Sequence, residues 1–99
     1  MYVNITSGKV DPSNVQELMQ RLDNDQVRAA FRKVKGFHRD FLMVSQDAPG
    51  SCQSITLWED EAEAKAFFAS PDYLQVVGGI KDLFISPVER ASYTILTEF

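Results

Sequence analysis

Hydrophobic positions change period several times along this chain. Over Tyr2–Thr6, Val3 and Ile5 alternate with Tyr2, Asn4 and Thr6, and this period of two predicts a strand. Ser7–Pro12 reads as a connection that closes on helix-start chemistry, Asp11 followed by Pro12. From Ser13 the spacing becomes helical. Val15, Leu18, Met19 and Leu22 share one face, and Val27, Ala30, Phe31 and Val34 make a second such set. The step from Leu22 to Val27 is too long for one continuous stripe, so the phase slips at Asp23-Asn24-Asp25. That slip predicts a kink or two abutting helices, with Asp23 or Asn24 capping the second. Gly36 is placed to stop it.

Phe37–Gln46 and Cys52–Glu59 read as two strands, and Pro49-Gly50 within the polar stretch between them signals a hairpin. Asp60 begins a helix, with Glu63 as its capping-box partner and Ala62, Ala66 and Phe67 as its apolar stripe. Ser70-Pro71 restarts a helix that carries Tyr73, Leu74 and Val77 and weakens at Gly78-Gly79. Ile80–Phe84 adds a further turn, Pro87 punctuates, and Arg90–Phe99 reads as the final strand. The order βαββαβ predicts an α+β, ferredoxin-like (split βαβ) fold with a four-stranded antiparallel sheet.

Helices from such a plan cover one face of the sheet, yet the strands are apolar on both. Phe41, Leu42, Met43 and Val44 serve both sides of the second strand. Ile55 and Leu57 oppose Trp58 on the third, and Tyr93 and Ile95 oppose Leu96 on the last. The simplest second cover is another copy of the chain, so a homodimer is expected.

Composition narrows the classes further. At 99 residues, 44% hydrophobic and 24% charged, the chain reads as one globular domain spanning 1–99. A net charge of −4 argues against nucleic acid and anionic membranes as partners. The longest apolar runs, Phe41–Val44 and Ala66–Ala69, are too short to cross a bilayer. The first residues lack a signal-peptide layout, and the single cysteine, Cys52, fits a reducing compartment, so a cytoplasmic location is expected. No metal-ligand spacing, phosphate-cradling loop or nucleophile elbow is visible, and no cofactor is expected.

Leu57-Trp58-Glu59-Asp60-Glu61-Ala62, followed by Ala66-Phe67-Phe68-Ala69-Ser70-Pro71-Asp72-Tyr73, resembles the signature of the antibiotic biosynthesis monooxygenase (ABM) superfamily. In that signature a Trp ends the third strand, an acidic helix start follows, and a Ser-Pro-x-aromatic restart comes next. Gly36-Phe37 before the second strand and Phe84 through Pro87 before the last are also similar to it. The resemblance implies a dimeric α+β barrel, with two sheets packed face to face and a ligand cavity in each subunit between sheet and helices. It is more specific for fold than for reaction. Relatives include cofactor-free oxygenases of phenolic or quinol polyketides and haem degraders, and fold analogy does not choose between them.

The resemblance implies that Trp58 walls the substrate cavity, where its ring would stack on a planar ligand; a strand-end core role is equally open. It implies that Asn4 orients substrate or oxygen; a solvent-facing polar position is the alternative. His38, the only histidine, is a candidate base because its ordinary pKa lies near ~6.5, although its place at a strand entrance suits a surface role. Tyr73 matches the aromatic after Ser-Pro and would close the cavity mouth, unless it simply packs its helix. Phe67 and Tyr93 complete the candidate ligand-lining set, with core packing as the simpler role for Phe67. The resulting expectation is an ABM-like homodimer binding an apolar or aromatic small molecule, in its most specific form a cofactor-independent monooxygenase of phenolic or quinol substrates. A non-catalytic ligand-binding or dimerisation module is the alternative. Haem binding or degradation is a third reading, against which Glu61–Phe84 offers no histidine as iron ligand. Many oxygenase-like members carry histidine where this chain has Phe67 and Asp72, which puts imidazole chemistry there in doubt.

Overall fold

Strand and helix periods are realised in the expected order. The computed structural model describes residues 1–99 and contains β1 (Tyr2–Lys9), α1 (Val15–Leu22), α2 (Asp25–Arg32), β2 (Phe37–Val44), β3 (Ser51–Trp58), α3 (Glu61–Phe68), α4 (Pro71–Gly78) and β4 (Glu89–Thr94). One 3-10 turn, Pro12–Asn14, leads into α1, and another, Lys81–Leu83, follows α4. The four strands form one antiparallel sheet in the order β2-β3-β1-β4. The fold is therefore α+β and ferredoxin-like.

Each helix start has a chemical cause. The Asp11 carboxylate accepts from the Ser13 amide at 2.9 Å and opens the first turn. The phase slip resolves as two abutting helices, and Asn24 rather than Asp23 is the cap. Its Oδ1 accepts from the Val27 amide at 2.9 Å, while its Nδ2 donates to the Arg21 carbonyl at 2.9 Å. One side chain thus starts α2 and closes α1. Asp23 instead pairs with Arg28. Asp60 accepts from the Glu63 amide at 3.0 Å, and Ser70 accepts from the Tyr73 amide at 3.3 Å.

Strand limits differ from the sequence reading at both ends. β1 continues through Ser7-Gly8-Lys9, expected as a connection, because these residues pair with Gln53, Cys52 and Ser51. Glycine is needed at position 8 because the Phe84 ring lies directly on it and leaves no room for a Cβ. β4 stops at Thr94 rather than running to Phe99. Its partner β1 begins at Tyr2, opposite Thr94, so the last residues have no ladder to join beyond an Ile95 amide bond to the Met1 carbonyl. Leu96 and Phe99 are fully exposed. In the β2–β3 hairpin Gly50 has φ +87°, and an added Cβ would overlap the Val10 carbonyl oxygen.

The helices pack on the sheet face that carries Trp58 and Cys52, and two small cores form there. Val10, Leu18, Cys52 and Leu83 make one; Trp58, Ala64 and Phe67 make the other, flanked by Phe31, Phe37, Phe68 and Tyr73. Only 11 of 99 residues are buried, a small yield for a chain this apolar. Two features account for it. A cavity lies between the two cores, and the opposite sheet face, with Val3, Ile5, Phe41, Met43, Ile55, Leu57 and Tyr93, has no helix over it. Phe41, Met43 and Tyr93 are exposed on that face.

Candidate functional site

Cross-strand pairing sorts the helix-covered face into rows. The row nearest the hairpin-distal end is aromatic: Phe37, Trp58 and Tyr2 lie side by side on β2, β3 and β1. The next row is polar across all four strands: Asp40, Thr56, Asn4 and Ser92. A third row holds Leu42, Ser54, Thr6 and Arg90. A bulge in β2 between Phe37 and Arg39 makes this arrangement possible. Strict alternation would put Phe37 and Asp40 on opposite faces; the extra residue brings both under the helices.

Polar groups beneath helices cost free energy unless they are bonded, and most here are. Asp40 Oδ1 accepts from Thr56 Oγ1 at 2.7 Å and from Ser54 Oγ at 2.8 Å. Asn4 Nδ2 donates to Ser92 Oγ at 3.1 Å. Arg90 Nε donates to Thr6 Oγ1 at 3.3 Å and Nη2 to the Tyr73 hydroxyl at 2.6 Å, while its guanidinium lies 3.8 Å from the centre of the Phe68 ring. Three buried polar atoms have no protein partner: Asn4 Oδ1, Trp58 Nε1 and Glu63 Oε2.

A cavity of about 900 Å3 lies between this polar floor and the helices. That is at the upper end of the roughly 300–1,000 Å3 typical of small-molecule sites. Its walls are mainly apolar, with Leu18, Leu22, Phe31, Phe37, Phe68 and Val77 among them, and its floor includes Thr6, Asp40, Ser54 and Thr56. Asp40 has solvent-reachable surface because it faces the cavity, yet protein surrounds its carboxyl. Burial therefore pushes its pKa above the usual carboxylate range, only partly offset by the bonds from Thr56 and Ser54. Cys52 also lines the cavity; burial raises its thiol pKa, and Sγ donates weakly to the Gly8 carbonyl at 3.6 Å. It is therefore a protonated, packed thiol rather than a nucleophile. A smaller cleft of about 330 Å3 contains Tyr2, Asn4, Lys65, Arg90 and Ser92, and Phe68 is the wall common to both spaces. No group of three His, Cys, Asp or Glu side chains is close enough to hold a metal ion.

The residues singled out from sequence divide accordingly. Tyr73 lines the large cavity. Asn4 is buried, not solvent-facing, and belongs to the smaller cleft. Trp58 is completely buried and sits one layer behind the lining residues Phe37 and Phe68, with ring centres 5.7 and 5.8 Å away. Phe67 is core, packed on Trp58 at 5.3 Å. His38 lines neither space; it sits at the bulge, exposed, with Nε2 bonded to Glu59 at 2.6 Å. Tyr93 lies on the uncovered face, opposite Val3, away from both spaces. Asp40 and Arg90 were not singled out from sequence. Asp40 shares the strand parity of Leu42 and Val44, and Arg90 that of Ser92, but period two does not say which parity faces the helices.

Comparisons with known proteins agree with this architecture. The sequence model of the antibiotic biosynthesis monooxygenase family matches residues 1–78. Among curated proteins none matches the chain. Among solved structures, a protein described as an antibiotic biosynthesis monooxygenase from Bordetella bronchiseptica is similar at 21% identity, covering 97% of each chain with a TM-score of 0.84. One so described from Nitrosomonas europaea is similar at 20% identity over 98% of this chain and 100% of its own, with a TM-score of 0.82. SnoaB, a cofactor-independent oxygenase from Streptomyces nogalater, is similar at 20% identity over 98% of this chain and 94% of its own, with a TM-score of 0.75. At such identities the likeness establishes the fold.

Proposed function

This chain belongs to the antibiotic biosynthesis monooxygenase family, and we propose that it is a cofactor-independent oxygenase acting on a flat, hydroxylated aromatic molecule of the phenol or quinol class. The observation that carries this reading is the roughly 900 Å3 cavity with apolar walls over a floor of hydroxyls and one carboxylate. Such a space takes the rings of a polycyclic phenol and offers bonding groups only where oxygen substituents would lie. Two functions follow for the walls and floor. A ring system filling the space displaces water from between walls and floor, which strengthens the polar contacts there. The floor holds the substrate's oxygens, and an ionised phenol or quinol is electron-rich enough to reduce dioxygen. In the overall change an anthrone methylene becomes a carbonyl, one oxygen atom enters the product, and the other leaves as water.

Roles for particular residues follow from placement. Tyr73, held by Arg90, would line the entrance and orient a substrate hydroxyl. Asn4 keeps a free buried carboxamide oxygen, suited to hold a reactant in the adjoining cleft. Trp58 fixes Phe37 and Phe68 from behind. The uncovered apolar sheet face supports a second copy as partner, giving the two-sheet barrel.

Oxygen uptake with a panel of anthrones and quinols tests the reaction. Turnover by the wild type, reduced in Asn4→Ala and Tyr73→Phe, is the expected result. Tight binding of an anthraquinone without any oxygen uptake would reduce the protein to a binding module.

A further inference from the structure

Asp40 is the one carboxylate on the floor of the large cavity, and its setting is unusual for a structural ion. It forms no ion pair with any lysine, arginine or histidine. Both of its protein hydrogen bonds, from Ser54 and Thr56, fall on Oδ1, and Oδ2 is left without a protein partner. Thr56, the donor at 2.7 Å, is itself buried at 3% exposure, so Oδ1 is anchored and the carboxyl plane is held. The regular pairing of β2 with β3 from Arg39 to Val44 sets Asp40 on this face together with Leu42 and Val44. A carboxylate without an ion pair beneath apolar walls costs free energy, and the pairing register of β2 with β3 holds it there.

We infer that Asp40 is the proton acceptor of the site: its free Oδ2 accepts the hydrogen bond of an acidic aromatic hydroxyl and takes its proton. The step breaks the ligand O–H bond and forms a bond from Oδ2 to hydrogen; the electron pair stays on the phenolate oxygen. This rests on the phenol or quinol reading above and supplies what that reading needs, a way to ionise the substrate away from water. The charged and titratable groups facing the cavity are few. Arg28, Arg32 and Asp23 come from α2 and its approach, Tyr73 from α4, Lys81 from the turn after it, and Cys52 from β3. Arg28 is occupied by Asp23 and Asp25, which leaves Arg32 and Lys81 to stabilise the anion that proton transfer creates. A carboxylate lifted above the usual range by burial is also a better match for a phenol than a surface aspartate is.

Two measurements test this on the full chain, comparing wild type with Asp40→Asn, which keeps the size and the Oδ1 acceptor but cannot take a proton. The first is the affinity for danthron, a dihydroxyanthraquinone that cannot be oxidised at the anthrone position, as a function of pH. Wild-type affinity is expected to rise as Asp40 ionises, and the variant is expected to be flat. The second is kcat/KM for oxygen uptake with dithranol, the corresponding anthrone. It should fall about 100-fold or more in Asp40→Asn, and the acidic limb of the profile should move up to the anthrone's own ionisation in solution. Added formate should restore turnover to Asp40→Gly. The same pH dependence of binding in wild type and variant would overturn the role of Asp40, whatever the oxygen result. A binding limb that depends on Asp40, with no oxygen uptake by wild type, would overturn the oxygenase reading and retain Asp40 as the phenol acceptor. No binding of danthron by wild type would overturn both.

Discussion

Trp58 is the sharpest place to test the energetics of this core, because it combines full burial with an unbonded donor. Its ring packs on Phe67, Phe37 and Phe68 at 5.3, 5.7 and 5.8 Å, and Nε1 has no partner. Trp58→Ala removes the ring, its aromatic contacts and the fill of the layer, and should cost about 3–5 kcal/mol. Trp58→Phe is different in kind. It deletes about two ring carbons, worth ~0.8 kcal/mol each, and also the nitrogen whose desolvation costs ~1–3 kcal/mol when unbonded. The two effects nearly cancel, so a net loss of about 1 kcal/mol or less is expected. Urea unfolding followed by circular dichroism measures this, at one protein concentration because association shifts apparent stability. With a slope of about 1–1.5 kcal/mol/M for a chain this short, the midpoint should fall by less than ~1 M for Phe and by ~2–5 M for Ala. A Phe variant as damaged as the Ala variant would refute the reasoning, since it would mean that Nε1 is bonded in solution.

Asn24→Ala removes the cap of α2 and the closure of α1 together and should cost about 1–2 kcal/mol in the same urea assay, against near zero for Asp23→Ala. Asp40 predicts a pH dependence. Burial raises its folded pKa above the unfolded value, so its neutral form is favoured in the fold; wild-type stability should fall as pH rises from the unfolded carboxylate range through the folded pKa. Asp40→Asn should match wild type in acid and exceed it at neutral pH in thermal unfolding; an unchanged gap across pH would count against a desolvated carboxylate without an ion pair. Phe41→Arg, on the uncovered face, should turn a particle of twice the 11.2 kDa chain mass into a single chain by light scattering. A wild type that already scatters as one chain would remove the two-copy reading.

Local pattern was enough for the element order, the hairpin, the two helix restarts and the apolar sheet face that no helix covers. These follow from neighbours within a few residues: the period of Val3 and Ile5, the slip between Leu22 and Val27, and the caps Asp60 and Ser70. The Trp58 and Ser-Pro motifs also carried the family. The site was less legible. Bulge position depends on the register of β2 against β3, and that register turns Asp40 inward and His38 out to Glu59. Which strand-mates meet in a row, and so which hydroxyls hold Asp40 and Ser92 holds Asn4, is decided by long-range pairing. Tyr93 belongs to the uncovered face because β4 pairs with β1 in one register only. Periodicity therefore determined which side chains alternate, but only the closed sheet decided which alternation faced the cavity, because a strand's two faces are equivalent until a neighbour and a helix distinguish them.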